Sequence, residues 1–418
     1  MHRVEKWHRL NKVHKGHYIH RVLFGETDVN TDLKLLLIIG GLYALSVALS
    51  NTFVNVYLWK QQSEYMTIAL YNLFIVIAQP IIFILAGRWA KQVDRVIVLR
   101  LGVFFLSLFF LVVLLLGEVT SQYVILLGIL LGIGFGFYWL AFNVLTFEIT
   151  EPETRDIFNG FLGLLNSFAG MIGPFFAGWL ITKMTETKGY TVIFAISLGL
   201  FVLAVVLSFF LKRRSAEGRF HLFSVLRWRE ISLNWRSILL ANVAQGLREG
   251  SFPFLITIWI FVATGTEMAL GTFGLVTSGV SLIFYYVAGR LISAKYRKQA
   301  ILLSAIVLSL AVWIIAFELT FSRLMTYGVI ISIAFPLLMV PFLSMSYDVI
   351  GKAKKAAEWR IEYIVGRELF LNGGRILSIV LFMVAVWIFD PEKALPYYII
   401  ALGNAQLLMY FFIRPVGE

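Results

Sequence analysis

Three charged side chains stand where the sequence around them is almost wholly apolar. Arg248 and Glu249 lie about ten residues into the hydrophobic stretch near 237–262, and Arg375 lies about ten residues into the stretch near 366–389. At 1.5 Å per helical residue that is roughly 15 Å deep. Charges at such depth in hydrocarbon are costly, so they pair with one another or mark a path for ions or solutes. Burial favours the neutral acid and a neighbouring Arg favours the carboxylate, which makes Glu249 a candidate proton-coupling site. One of the two Arg would then anchor an anion. Two Arg against one Glu leave a positive balance, which favours a substrate with a negative group or one that displaces Glu249 from its partner. The other reading is a purely structural network in which Glu249 pairs with Arg375 or Arg248. Adjacent residues project about 100° apart on a helix. Arg248 and Glu249 are therefore expected to divide, one facing a cavity and the other a neighbouring helix.

The elements that must hold these groups are hydrophobic stretches of membrane-crossing length. Twelve lie near 35–58, 65–87, 96–116, 122–146, 158–182, 191–211, 237–262, 269–290, 299–317, 324–347, 366–389 and 394–413. With 59% hydrophobic and 14% charged residues in 418, and a mean hydropathy of +0.83, the chain lacks the polar groups that a soluble domain needs to cover its surface. The second six stretches repeat the first six at an interval of about 200 residues. Many secondary transporters are built on such a duplication. The expected fold is an all-α integral membrane protein with twelve transmembrane helices in two six-helix bundles related by a pseudo-two-fold repeat. Its parts are a basic, His-rich tail over 1–31, a first bundle over 32–211, a linker over 212–236 and a second bundle over 237–418.

Charge placement orients these elements. With the amino terminus inside, 27 of the 36 Lys and Arg fall on the cytoplasmic side and five on the other. That asymmetry places both termini in the cytoplasm, with the chain a multi-pass protein of the cell membrane. The net charge of +12 reads as a topology signal and an attraction to anionic lipid heads rather than to nucleic acid. The polar, basic tail is not a cleavable signal peptide. His14, His17 and His20 step along one helical face of it. No carboxylate cluster accompanies them, so a surface helix is expected rather than a metal site. In the linker Phe223, Leu226, Trp228 and Ile231 suggest a short amphipathic helix. There is no cysteine, hence no thiolate chemistry, and no phosphate-binding Gly-rich loop with Lys and Ser or Thr, so no ATP hydrolysis and no cofactor is expected. With His221 as the one histidine outside the tail, enzyme chemistry has few candidates.

The duplication is legible in short motifs. Ala86-Gly87-Arg88, followed by Lys91, Asp94 and Arg95, is matched by Ala288-Gly289-Arg290 followed by Arg297 and Lys298. Glu148 near the end of the fourth stretch matches Asp348 near the end of the tenth, and Arg155-Asp156-Ile157-Phe158 matches Arg367-Glu368-Leu369-Phe370. Acid–base pairs among these helix-end residues would link the halves when one side is closed, and remaking them would bias an alternating-access equilibrium. Alternatively they are solvated loop-end charges that set topology.

On these residues the chain resembles the major facilitator superfamily across essentially its whole length, and is similar to facilitators of low-GC Gram-positive (Bacillus-type) bacteria. The family's signature between helices 2 and 3 runs Gly, x, Leu, x, Asp, Arg, x, Gly, Arg, Arg. Gly87 and Arg95 fit it, but Lys91 stands at the Asp position and Asp94 at the second Gly position. In the second half Gly289, Leu291, Arg297 and Lys298 fit, and Ser293 replaces the Asp. Glu148 and Arg155 have the family's Glu-to-Arg spacing at the end of helix 4, as do Asp348 and Lys355 in the second half. Gly170, Gly173-Pro174 and Gly178 resemble the Gly-Pro motif of antiporters, with close helix packing and bending as the other reading.

The resemblance implies that helices 1, 4, 7 and 10 line a central cavity, that helices 2, 5, 8 and 11 flank it, and that the protein works as a monomer. Candidate cavity residues are then Arg248, Arg375, Asn51, Asn55, Tyr138, Trp139, Asn143, Asn242 and Gln245, although each amide may equally be interhelical glue. The expected function is secondary transport of a small organic or amphipathic solute by rocking of the two bundles, coupled to protons, with export or antiport favoured. A flippase for a lipid-linked or amphipathic anion and, more remotely, a non-transporting membrane sensor are the alternatives.

Overall fold

The computed structural model describes residues 31–149, 152–184, 186–213, 218–227 and 230–417, with the backbone alone at 147, 148, 152–160 and 186. The His-rich tail, Trp228 and the side chains of Glu148 and Arg155 lie outside the described residues.

Hydrophobic runs of this length satisfy their own backbone groups in lipid only as helices, and helices are what the chain forms. In the first half these are α1 (Thr31–Gln62), α2 (Tyr65–Gln92), α3 (Arg95–Leu116), α4 (Val124–Ile149), α5 (Pro152–Lys183) and α6 (Glu186–Ser208). A short α7 (Leu222–Leu226) lies in the linker. The second half holds α8 (Leu233–Glu249), α9 (Phe252–Thr264), α10 (Glu267–Leu291), α11 (Arg297–Ala311), α12 (Trp313–Ala316), α13 (Phe321–Gly351), α14 (Arg360–Ile388), α15 (Pro391–Gly403) and α16 (Ala405–Ile413). Three crossings are interrupted: α8 and α9 form the seventh, α11 and α12 the ninth, α15 and α16 the twelfth. The apolar run Arg95–Thr146 is 52 residues long. As one helix it would extend about 78 Å, more than twice a hydrocarbon core. A 3-10 turn at Gly117–Tyr123, entered through a positive φ of 53° at Gly117, folds it into two crossings. The described residues therefore make twelve crossings. Short polar side chains set the helix starts: Asp94 caps α3 by accepting from the Val96 N–H at 2.7 Å, and Ser232, Thr266, Thr320 and Asp390 cap α8, α10, α13 and α15.

The linker helix differs from expectation. Leu222 and Val225 form its buried side, whereas Phe223 is 83% exposed. The reason is a tertiary contact: the Trp235 indole N–H donates to the Val225 carbonyl at 2.9 Å and draws that side inward.

The first six crossings and the last six meet along two seams, α2 against α14 and α5 against α10, with α9 also touching α1. The α5–α10 seam is built by the Gly-Pro stretch. A Cβ on Gly178 would lie 2.5 Å from the Glu267 carbonyl, and one on Gly271 would lie 2.8 Å from that of Pro174. Gly173 performs the same service toward α1, where Ala48 Cβ would be 2.8 Å away. Small residues let these backbones approach closely where lipid offers no hydrophobic drive to hold them.

One position tests the seam directly. The ideal Cβ of Gly170 is 3.5 Å from Ser278 Cβ, within the roughly 3.5–4.5 Å that a disulfide spans. In this cysteine-free chain Gly170→Cys with Ser278→Cys is expected to cross-link under mild oxidation. The readout is whether the halves, cut at a protease site placed in the linker, stay together until reduced. Halves that separate without reductant refute this seam.

Candidate functional site

Between the two halves lies a cavity of about 660 Å³. Its first-half wall carries Asn51 and Thr52 of α1 and Asn166, Ser167 and Gly170 of α5. Its second-half wall carries Arg248, Glu249, Tyr285 and Tyr327, with Phe252, Phe273 and Phe335 as apolar surface. The charged groups thus sit on the second-half side of a largely aromatic and aliphatic chamber, a lining that suits an organic ligand bearing one or two polar groups.

The three deep charges do not play equal parts. Glu249 accepts from Arg375 at 2.7 Å through one carboxylate oxygen and from Gln245 at 2.7 Å through the other. Arg375 also donates to Asn372 at 3.3 Å. Arg248 is 5% exposed, and no carboxylate among the described residues lies within 4 Å of it. Its guanidinium reaches the Tyr327 hydroxyl at 3.4 Å, lies 5.3 Å from the centre of the Phe252 ring, and leaves Nε without a hydrogen-bond partner. The expected division of Arg248 and Glu249 between cavity and neighbouring helix is not what the structure has. Both side chains reach the cavity wall, Arg248 toward Tyr327 of α13 and Glu249 toward Arg375 of α14.

Of the other cavity candidates, Asn51 lines the chamber and the rest do not. Asn55 accepts from Asn72 at 2.8 Å. Tyr138 stacks on Tyr43 at 3.9 Å, Trp139 meets the same ring edge-on, and both belong to the first half's core. Asn143 is half-buried away from the cavity. Asn242 turns back on the Ile238 carbonyl at 2.7 Å, as in-helix amides do in an apolar setting. Gln245 and Arg375 act on the cavity through Glu249. Tyr285 and Tyr327, which complete the wall, carry no sequence signal apart from their neighbours; both are aromatic positions in apolar runs.

The helix-end candidates also sort themselves. Asp348 pairs with Arg297 at 2.6 Å and Arg367 with its neighbour Glu368 at 3.1 Å, so these pairs lie within the second half and do not join the halves. Asp94 is a helix cap, Arg88 donates to Gln92 one turn on, and Arg290 lies over Tyr286. Arg95 opens α3.

Among the described residues two ion pairs bridge the halves. At the face where α1 begins, Lys91 of α2 meets Glu362 of α14 at 2.6 Å and also donates to the Glu358 carbonyl at 2.8 Å. Glu362 is fully buried and accepts from the His221 backbone N–H at 2.9 Å. At the opposite face Lys60 of α1 meets Glu267 of α10 at 2.9 Å, and the Tyr190 hydroxyl donates to the same oxygen at 2.8 Å. Sequence reasoning singled out Lys91 but neither acid. No local signal ties a base to an acid 271 or 207 positions away.

The two seams are not equivalent. A Cβ on Gly87 would lie 3.0 Å from the Phe220 ring and 3.1 Å from Val365, whereas its repeat partner Gly289 has open space around it. The last turns of α10 are bare at that face, with Leu291 73% exposed.

Comparison with known proteins places this geometry. The family model described as Major Facilitator Superfamily matches residues 36–357. The uncharacterized protein YqgE of Bacillus subtilis (strain 168) is 55% identical over 394 residues, covering 94% of this chain and 92% of that one. An uncharacterized protein of Geobacillus stearothermophilus, from the sodM 3' region, is 57% identical over 201 residues, 48% of this chain and 94% of its own. Among solved structures, that of the human organic anion transporter MFSD10 (TETRAN) shares the fold with a TM-score of 0.67 at 12% identity, over 92% of this chain and all of that one.

Removing one partner of a buried pair strands the other as a charge. Lys91→Met is expected to cost about 3–5 kcal/mol in unfolding experiments, and the double variant with Glu362→Leu to recover most of it. Equal losses in the single and double variants would mean that Lys91 contributes packing and not charge.

Proposed function

We propose, for a chain that belongs to the major facilitator superfamily, that this membrane transporter carries an organic anion with an apolar or aromatic body by alternating access, coupled to protons at Glu249. The family makes it a transporter, and the class of cargo is read from the cavity. The observation that carries the reading is Arg248: a guanidinium kept in an aromatic-walled chamber with no carboxylate of the described residues within 4 Å, Glu249 being held by Arg375. A buried, unpaired cation is costly, and an anionic ligand relieves that cost. Phe252 and Tyr327 flank the same group and supply contact for an apolar body. The human transporter with the same fold is described as acting on organic anions, which is the same chemistry.

Glu249 sets the coupling. While ionised it holds Arg375 at 2.7 Å. Protonation releases that Arg, so two guanidinium groups become available to an anion. Proton and anion therefore favour each other's binding, and by linkage they move together across the membrane. Exchange, which the Gly-Pro resemblance implies, is the other direction of coupling, and the same residues pack α5 against α10 and α1.

In sealed proteoliposomes with an internal pH dye, offered aryl carboxylates and alkyl sulfonates, an inward anion gradient is expected to acidify the lumen. Arg248→Gln should lower kcat/KM for the anion about 10- to 100-fold, the worth of one buried charge-assisted hydrogen bond. Glu249→Gln should keep anion flux while abolishing the proton signal. Unchanged anion flux in Arg248→Gln, or preferred movement of cations, overturns the assignment.

A further inference from the structure

A second concavity, of about 540 Å³, lies between the first half of α1 and the start of α5, separate from the central cavity. Its wall includes Lys34, Ile38, Gly41 and Leu45 of α1 and Leu165 and Phe168 of α5. The α1 residues are spaced four, three and four apart, so they form one stripe along the helix. Gly41 leaves the stripe shallow in its middle, where a Cβ would come within 3.2 Å of Leu165. On α5 the groove takes Leu165 and Phe168 while the central cavity takes Asn166 and Gly170. At 100° per residue these two pairs point to opposite sides of the helix. On α5 the groove accordingly lies on the face where Leu164, Phe168 and Ile172 are 56%, 62% and 42% exposed, while its α1 stripe runs on through Ala48 and Thr52 of the central cavity.

Lys34 is the sole polar side chain among the described residues of this groove. It sits in the first turn of α1, where a cation opposes the helix dipole and so weakens the helix. It has no carboxylate partner within 4 Å among the described residues. From Lys34 to Leu45 the groove runs eleven residues, about 16 Å at 1.5 Å per residue, which is half of a hydrocarbon core of about 30 Å. A cation at one end of an apolar channel one leaflet long has the dimensions and the charge order of a lipid.

We propose that this groove binds one anionic phospholipid of the leaflet at the face where α1 begins, with an acyl chain along Ile38, Gly41 and Leu45 and the headgroup phosphate on Lys34.

The test is native mass spectrometry of the delipidated full chain titrated with phosphatidylglycerol or phosphatidylcholine. One phosphatidylglycerol is expected to bind about fivefold tighter than phosphatidylcholine, the factor that one lysine at a membrane surface supplies. Lys34→Gln, at an exposed position, should erase that preference, and Lys354→Gln, in the connection between α13 and α14, should leave it intact. Gly41→Leu, which fills the channel, should reduce binding of both lipids. Glycerol phosphate, a headgroup without a chain, should not compete. Preference that survives in Lys34→Gln, or displacement of the lipid by glycerol phosphate, overturns the proposal. Native binding of both lipids in Gly41→Leu overturns the acyl-chain channel.

Discussion

A carboxylate in hydrocarbon needs a cation, and the rest of this cavity follows from how Glu249 gets one. Arg375 reaches it at 2.7 Å because α8 and α14 come together at glycine-to-backbone contact. A Cβ on Gly246 would run into the Leu371 carbonyl, and one on Gly374 into that of Val243. With Glu249 engaged by α14, Arg248 on the preceding position is left to face Tyr327 and Phe252. One acid shared among two bases is thus converted by geometry into one closed pair and one open cation. The seventh crossing breaks directly after this dipeptide.

The same economy of charge governs the seams. Lys91–Glu362 and Lys60–Glu267 stand at opposite ends of the membrane and on different helices, and each ties one half to the other. In the alternating-access cycle proposed above, rocking about the central cavity would open one end as it closes the other, and the two pairs would not both persist through it. Glu362 is wholly enclosed, with a second oxygen lacking a hydrogen-bond partner. Glu267 is held by a lysine and a tyrosine that come from two helices of the first half. The repeat is broken here. The counterpart of Lys91 is Ser293, and the counterpart of the tightly packed Gly87 is the open Gly289. Duplicated halves have therefore kept a common fold while, among the described residues, only the α2–α14 seam carries a buried ion pair at that face.

How much of the site was legible depended on whether the controlling interaction was local. Crossings were readable because hydropathy over some twenty residues is a property of the segment itself. The depth of Arg248, Glu249 and Arg375 was readable for the same reason, and so was the list of possible pairings. Tyr138, Trp139 and Asn143 were expected at the cavity because aromatic and amide side chains in a membrane suit either a ligand or a neighbouring helix. The stacking of Tyr138 on Tyr43 at 3.9 Å decides for the neighbour. The Gly-Pro stretch carried two readings at once, and contact with α10 favours packing.

By itself the sequence determined that this chain crosses a membrane twelve times as a duplicated six-helix unit, and that three charges lie deep within it, because each follows from residue composition along a single helix. Which Arg neutralises Glu249, which lysine meets Glu362, and which cation is left facing the cavity were decided only by tertiary structure. Those partners are more than a hundred residues apart, and desolvation lets a charge choose only among the groups that packing brings within a few ångströms.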